Sequence, residues 1–330
     1  MKPIKVSLPF EYTAIFNIKS ELEFNELACL TFQHQYQNNL IYQGFVDQLK
    51  INPNQVKSYK SIPFLPISFF KTHEVVTGQK PTETIFYSSG TTGENRSKHH
   101  VTDLTVYDAA LLNGFEFAFG KISDYALFAL LPSYHDNKNS SLLYMVSKLQ
   151  KFSGNFGGFY LDNYTQLLTD IAAQKKNNKI ILMGVSYALL DLAELFAPDL
   201  SDIIVLETGG MKGRRKEMTK EDLHGFLKQG LHCEEIGSEY GMTELLSQAW
   251  SKGEGVFSTP PWMKIMTREY TDPLTLVENK TGGINVIDLA NFNSCSFIAT
   301  QDLGTVQGQQ FELKGRFDNA DIRGCNLLVD

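Results

Sequence analysis

Residues 178–210 read NKIILMGVSYALLDLAELFAPDLSDIIVLETGG. An apolar run, a polar break, a helical pattern over Tyr187–Phe196 and a second apolar run ending at Gly209-Gly210 follow one another. Apolar runs alternating with helical patterns point to a largely parallel sheet wrapped by helices, an α/β fold. The alternation recurs upstream, where DYALFALLPS (124–133) reads as a buried strand and SSLLYMVSKLQKF (140–152) as the helix after it. TETIFYSS (82–89) reads as a short strand running into a Gly/Thr turn. Residues 19–50 carry apolar positions at helical spacing and predict one or two amphipathic helices. The prolines of SIPFLPISFFKTHEV (61–75) mark an extended or turning segment. GGINVIDLA (282–290), CSFIATQDLGT (295–305) and QFELKG (310–315) alternate or are β-branched, with turn residues between, and predict a smaller antiparallel part.

Composition bounds the rest. The chain has 330 residues, 42% hydrophobic and 20% charged, an ordinary globular balance. A formal charge of −7 disfavours a general nucleic-acid or membrane-surface binder. No apolar stretch approaches the roughly 18–20 residues of a membrane span. A signal peptide is not expected from the first residues, which lack a long apolar core and a small-residue cleavage site. Cys29, Cys233, Cys295 and Cys325 lie far apart without CxxC spacing, which disfavours zinc or a disulfide framework. A reducing cytoplasm is the expected location.

Several segments carry chemistry. Tyr87-Ser88-Ser89-Gly90-Thr91-Thr92-Gly93 sets hydroxyls and glycines after a strand. Such a loop can turn N–H groups and hydroxyls onto a phosphate chain, and equally can be a polar turn. It does not match GxxxxGK[ST], so a P-loop NTPase is not expected. In Gly237-Ser238-Glu239-Tyr240-Gly241-Met242-Thr243-Glu244, Tyr240 can stack on a base, Thr243 can bond a phosphate and Glu244 can hold Mg²⁺. Glu244 reads equally as an acid at a helix start. Asp302, in Thr300-Gln301-Asp302-Leu303-Gly304, sits where an Asp after a strand could accept two ribose hydroxyls, or simply form a strand-end turn. Lys314-Gly315-Arg316-Phe317-Asp318 follows. Gly209-Gly210 would let a flat ring approach the backbone. His135 reads as a pocket residue or a surface loop histidine. Lys212, Arg214 and Arg215 read as an anion-attracting cluster or a solvated helix start.

Taken in order, SSGTTG, a GG turn, YGMTE, an Asp at a strand end and GRxD resemble the core motifs of the adenylate-forming superfamily of acyl-CoA synthetases, adenylation domains and luciferases. The resemblance covers about residues 87–330. It implies the cofactors ATP and Mg²⁺. It implies phosphate handling by Ser88, Ser89, Gly90, Thr91, Thr92 and Gly93, and a nucleotide site that includes Gly209, Gly210, Tyr240 and Gly241. It further implies a phosphate-binding Thr243, Mg²⁺ on Glu244, ribose on Asp302, and a weaker ribose or phosphate contact from Arg316. It also implies a core domain over 1–313 and a short remnant of the C-terminal domain over 314–330, because relatives continue for about a hundred residues that carry a lysine used in adenylation. The loop departs from the family by continuing Glu94-Asn95-Arg96-Ser97-Lys98 where a Pro-Lys pair is usual. Lys98 is therefore not assigned.

The ending Arg323-Gly324-Cys325-Asn326-Leu327-Leu328 looks most like the acyl-protein synthetase (LuxE type) branch, as do IPFLPISFFK, LPSYHDNKNSSLLYMV and GVSYALL. That branch implies a fatty or other carboxylic acid activated as acyl-AMP, transfer to the enzyme's own Cys325, and delivery to a partner reductase or other acceptor. By itself Cys325 reads as a small buried hydrophobe, although Arg323 nearby would favour its thiolate. The alternatives are a phenylacetate-type CoA ligase or carrier-protein acylation, and a non-catalytic acyl- or nucleotide-binding subunit.

Overall fold

The computed structural model describes residues 8–89, 96–132, 137–209, 215 and 218–317. The chain divides into two compact units, Met1–Lys80 with Pro261–Asp330, and Pro81–Pro260.

The first unit opens with α1 (Glu21–Asn38) and α2 (Leu40–Gln48), both inside the segment where helical spacing predicts them. Ser20 caps α1 by accepting from Glu23 N–H, and Asn39 caps α2 by accepting from Ile41 and Tyr42 N–H. The proline segment then forms the two-residue β1 (Leu65–Pro66) and the single turn α3 (Phe69–Thr72).

The second unit begins with the hairpin β2 (Thr84–Tyr87) and β3 (Lys98–Val101). Next come α4 (Leu104–Phe119), β4 (Tyr125–Leu130), α5 (Ser141–Ser153), β5 (Gly158–Phe159), α6 (Tyr164–Gln174), β6 (Lys179–Val185), α7 (Ser186–Phe196), β7 (Ile204–Thr208), α8 (Lys220–Leu231) and β8 (Gly237–Tyr240). β4, β5, β6, β7 and β8 form a parallel sheet in the order β5-β4-β6-β7-β8. β4 is buried along its whole length and β6 beyond its first residue, as expected where helices cover both faces. No loop separates β6 from α7: the strand ends at Val185 and the helix starts at Ser186. Gly184 permits this, because a Cβ there would stand 2.8 Å from Leu189 Cγ. β9 (Ala249–Ser251) and β10 (Val256–Ser258) extend the unit antiparallel from β8.

The chain returns to the first unit in β11 (Met263–Arg268), β12 (Leu276–Val277), β13 (Gly282–Asp288), β14 (Phe297–Gln307) and β15 (Gln310–Arg316). These form the predicted antiparallel part, ordered β12-β11-β13-β14-β15, with β1 parallel to β14. Helices α1 and α2 grip the turn before β14. The buried Gln35 amide donates to the Asn291 carbonyl at 3.1 Å and its oxygen accepts Ser296 N–H at 3.1 Å, while Asn39 donates to the Ser294 carbonyl at 3.0 Å. Phe32, Tyr42 and Phe297 pack below these bonds. No helix among the described residues is long and apolar enough to cross a membrane.

The structure corrects the place of Asp302. The residue is not at a strand end: β14 runs on to Gln307, with a register shift at Leu303/Gly304. The strand continues because β15 pairs with it from Asp302 to Gln307, Asp302 facing Arg316.

Candidate active site

In the second unit the described motif residues lie past the ends of β7 and β8 and at the neck of the β2–β3 hairpin. Ligands of open α/β sheets bind outside the carboxyl ends of strands such as β7 and β8. The hairpin neck is laced at Ser88, whose N–H donates to the Ser97 carbonyl at 3.1 Å and whose Oγ accepts Ser97 N–H at 3.0 Å. Arg96 Nε donates to the Ser88 carbonyl at 2.6 Å, with its guanidinium 5.3 Å from the centre of the Tyr87 ring. Ser89 follows at the edge of the described strand-end segment. Lys98 is exposed on β3.

Burial alternates along β3, exposed at Lys98, buried at His99, half-buried at His100 and buried at Val101. His99 Nδ1 lies 2.8 Å from the Thr243 carbonyl oxygen. Burial pulls its pKa down to about 4, against the opposing pull of the Thr243 bond. The imidazole is therefore neutral near pH 7.

Past β8 the chain makes a tight turn, closed by Leu245 N–H donating to the Met242 carbonyl at 3.1 Å. Thr243 is half-exposed on this turn and Glu244 is buried. No helix starts at Glu244, so its reading as a helix-start acid is excluded. Tyr240 is buried, its ring tilted 64° to that of Phe257 with centroids 6.0 Å apart. Gly241 packs on the Glu239 carboxyl: a Cβ there would fall 2.2 Å from Glu239 Oε1.

Beneath this turn lie acids that motif reading misses. Glu207 is buried at the end of β7, bonded by Ser238 Oγ at 2.6 Å and Ser186 Oγ at 3.2 Å, paired with Lys220, and 3.5 Å from His224 Nε2. Burial would raise its pKa, but His224, Lys220 and Ser238 bring it down to about 2. Ser186 Oγ also reaches the Gly209 carbonyl at 3.0 Å, so the network holds the start of the glycine turn. Glu239, one step along β8, accepts from Thr208 Oγ1 at 2.6 Å. Burial, with the Glu207 charge adding to it, pushes Glu239 up to about 7. Neighbouring strands thus hold one ionised and one easily protonated carboxyl.

This pair sets a pH dependence. The Glu239 proton is held up to about 7 in the fold, against an ordinary 4.5. The stability it contributes is complete below that ordinary value and is lost as pH rises through about 7. The melting temperature of Glu239→Gln, relative to the unsubstituted protein, should therefore rise between about pH 5 and about pH 8. A difference that stays constant with pH would show that Glu239 is already ionised at pH 5.

In the first unit, Asp302 and Arg316 are brought together across β14 and β15. Arg316 Nε stands 3.2 Å from Asp302 Oδ1, with Arg316 71% exposed and Asp302 16%. Arg215 is held by Asp191 and by Glu194 at 2.7 Å, which takes it from the expected anion-attracting cluster. Gly90, Thr91, Thr92, Gly93, His135, Gly210, Lys212, Arg214 and Cys325 lie outside the described residues. Among the described residues no group of His, Cys, Asp and Glu side chains is arranged to hold a metal ion by itself.

No protein-family model matches the chain. Over 324 residues it is 22% identical to a long-chain-fatty-acid–luciferin-component ligase of Vibrio harveyi, covering 90% of this chain and 85% of that protein. The structure superposes on a 2-hydroxyisobutyryl-CoA ligase solved with its acyl-AMP and CoA, with a TM-score of 0.66 and 11% identity over 91% of this chain and 70% of that one. The fold is that of the adenylate-forming ligases, and the sequence is LuxE-like. The fold recurs in ATP-bound MatB from Rhodopseudomonas palustris, with a TM-score of 0.55 and 17% identity over 72% of this chain and 49% of that one. It recurs again in the O-succinylbenzoate-CoA synthetase of Bacillus subtilis with ATP and magnesium, with a TM-score of 0.51 and 18% identity over 72% and 50%. The chain therefore spans about half the length of these last two structures.

Proposed function

We propose that this chain activates a fatty or other carboxylic acid as its acyl-AMP and then carries the acyl group on Cys325 for delivery to a reductase or another acceptor. The observation that carries the reading is the turn Thr243–Glu244. It sets a hydroxyl and a buried carboxylate at the end of β8 and is tied to the hairpin that begins the Ser/Thr/Gly loop. One carboxylate ligand suits Mg²⁺, which keeps several waters and binds through one or two carboxylates plus substrate phosphates.

When bound, Mg²⁺ neutralises charge on the phosphates. A substrate carboxylate oxygen attacks the α-phosphorus of ATP; an O–P bond forms, and pyrophosphate leaves with the electron pair of the bond that breaks. Thr243 and the hairpin hydroxyls donate to phosphate oxygens, Glu244 holds the metal, and Tyr240 flanks the base. In the second step the Cys325 thiolate attacks the acyl carbon. A C–S bond forms, the C–O bond to phosphate breaks, and AMP departs with that electron pair. The similarity to a long-chain-fatty-acid–luciferin-component ligase favours a long-chain fatty acid as the substrate.

Asp302 is assigned to the ribose hydroxyls. Its partner Arg316 is largely exposed, so the Asp302–Arg316 pair itself adds little stability. Asp302→Ala should weaken ATP binding by about 1.5–3 kcal/mol, the range for hydrogen bonds to a charged group. Calorimetric titration with ATP reads this directly, and an affinity within about twofold of the unsubstituted protein would make Asp302 a purely structural strand residue.

A further inference from the structure

His99 and Thr243 are 144 residues apart in the chain, yet His99 Nδ1 lies 2.8 Å from the Thr243 carbonyl. A carbonyl only accepts, so Nδ1 carries the proton and donates whether the ring is neutral or charged. We propose that His99 is a positioning residue for adenylation, fixing the peptide plane between Thr243 and Glu244 and thereby aiming the Thr243 hydroxyl and the Glu244 carboxylate. The inference rests on the reading of that turn as the phosphate and Mg²⁺ site.

The geometry supports a clamp over simple packing. The peptide unit is planar, so holding its oxygen sets the rotation of the whole plane and the directions in which both flanking side chains leave it. Thr243 is half-exposed and lies in an irregular turn, where no strand ladder would hold that plane. The donor ring is buried, with His99 1% exposed, and the bond is part-buried, so water reaches it only from the Thr243 side. The clamp also stands two residues past Ser97, whose bonds with Ser88 close the neck of the Ser/Thr/Gly loop. One short strand thus serves both the loop assigned to the phosphates and the turn assigned to the metal.

The test compares His99→Asn, His99→Gln and His99→Leu. An asparagine amide nitrogen falls near the Nδ1 position, a glutamine nitrogen near Nε2, and leucine donates nothing. Acid-dependent ATP–pyrophosphate exchange is measured against Mg²⁺ concentration, with melting temperature alongside and Glu244→Gln as reference. Asparagine should keep the Mg²⁺ requirement close to that of the unsubstituted protein. Glutamine and leucine should raise the half-saturating Mg²⁺ about tenfold, the scale of one lost buried hydrogen bond. A leucine variant with an unshifted Mg²⁺ requirement overturns the proposal. If leucine prevents folding, the two amides decide: equal Mg²⁺ requirements for asparagine and glutamine overturn it as well. If Glu244→Gln itself leaves exchange intact, the reading of the turn fails and the inference with it. If Glu244→Gln abolishes exchange and the leucine variant is indifferent, only the role of His99 is lost.

Discussion

Cys325→Ser is expected to form acyl-AMP at the unsubstituted rate and to hold no hydroxylamine-labile acyl group. The two half-reactions draw on different side chains. Adenylation is assigned to the Ser/Thr/Gly loop, Thr243, Glu244 and Asp302, none of which needs a thiol. Transfer needs a nucleophile, and a serine hydroxyl without an adjacent base is far weaker than a thiolate. The other cysteines make poor substitutes. Cys295 is fully buried, and burial pushes its thiol up to about 12; Cys233 is likewise raised to about 11. Cys29 is half-buried and also raised, chiefly by burial. At neutral pH these thiols stay protonated and unreactive. Intact-protein mass spectrometry after ATP, Mg²⁺ and an acid mixture reads the label, while ATP–pyrophosphate exchange reads the first half-reaction. A serine variant that still acquires the acyl mass would place the nucleophile elsewhere, with Cys29 the first to test. An unsubstituted protein that never labels, yet makes acyl-CoA when CoA is supplied, would favour the CoA-ligase alternative.

Glu244→Gln is expected to lower adenylation by about 10²-fold, the size of effect seen when one group stabilising developing charge is lost. An amide is a weaker ligand than a carboxylate for a hard cation. The side chain is nearly isosteric and the turn is held through the backbone by Leu245 and His99, so the fold should survive. Exchange measured at limiting Mg²⁺, together with the melting temperature, separates the two effects. Unchanged exchange would remove Glu244 from the metal site.

The parallel sheet is legible in the sequence because its strands are buried on both faces. Ile180–Val185 and Tyr125–Leu130 have no polar side to confuse them with an amphipathic helix, and each is followed by a clear helical pattern. The antiparallel part is legible from its alternation. Helix α8 is less so: its apolar stripe, Leu223, Leu227 and Leu231, is set among charged residues just beyond the glycine turn. The place of Asp302 is misread for a physical reason. A Gly two residues on suggests a strand end, but pairing with β15 carries the ladder through it, and Gly304 serves close packing, since a Cβ there would stand 2.4 Å from the Glu312 carbonyl oxygen.

Within the site, residues adjacent in the chain are readable as motifs, whereas those that meet only through tertiary structure are not. Glu207 and Glu239 become neighbours because β7 and β8 pair with Glu207 opposite Ser238. His99 is one of two successive histidines in a short strand, and only the pleat decides which of them faces inward. The segment carries no signal that distinguishes His99 from His100. Burial is what makes these groups informative, and burial is a property of the fold rather than of the segment.

The central claim is that this chain joins a carboxylic acid to AMP. Acid-dependent ATP–pyrophosphate exchange, run with a panel of short, aromatic and long-chain acids, tests it most directly. The account predicts Mg²⁺-dependent exchange that appears only when a suitable acid is added, strongest with a long-chain fatty acid. Folded protein that binds ATP but shows no exchange with any acid would contradict it and leave a nucleotide-binding subunit without catalysis.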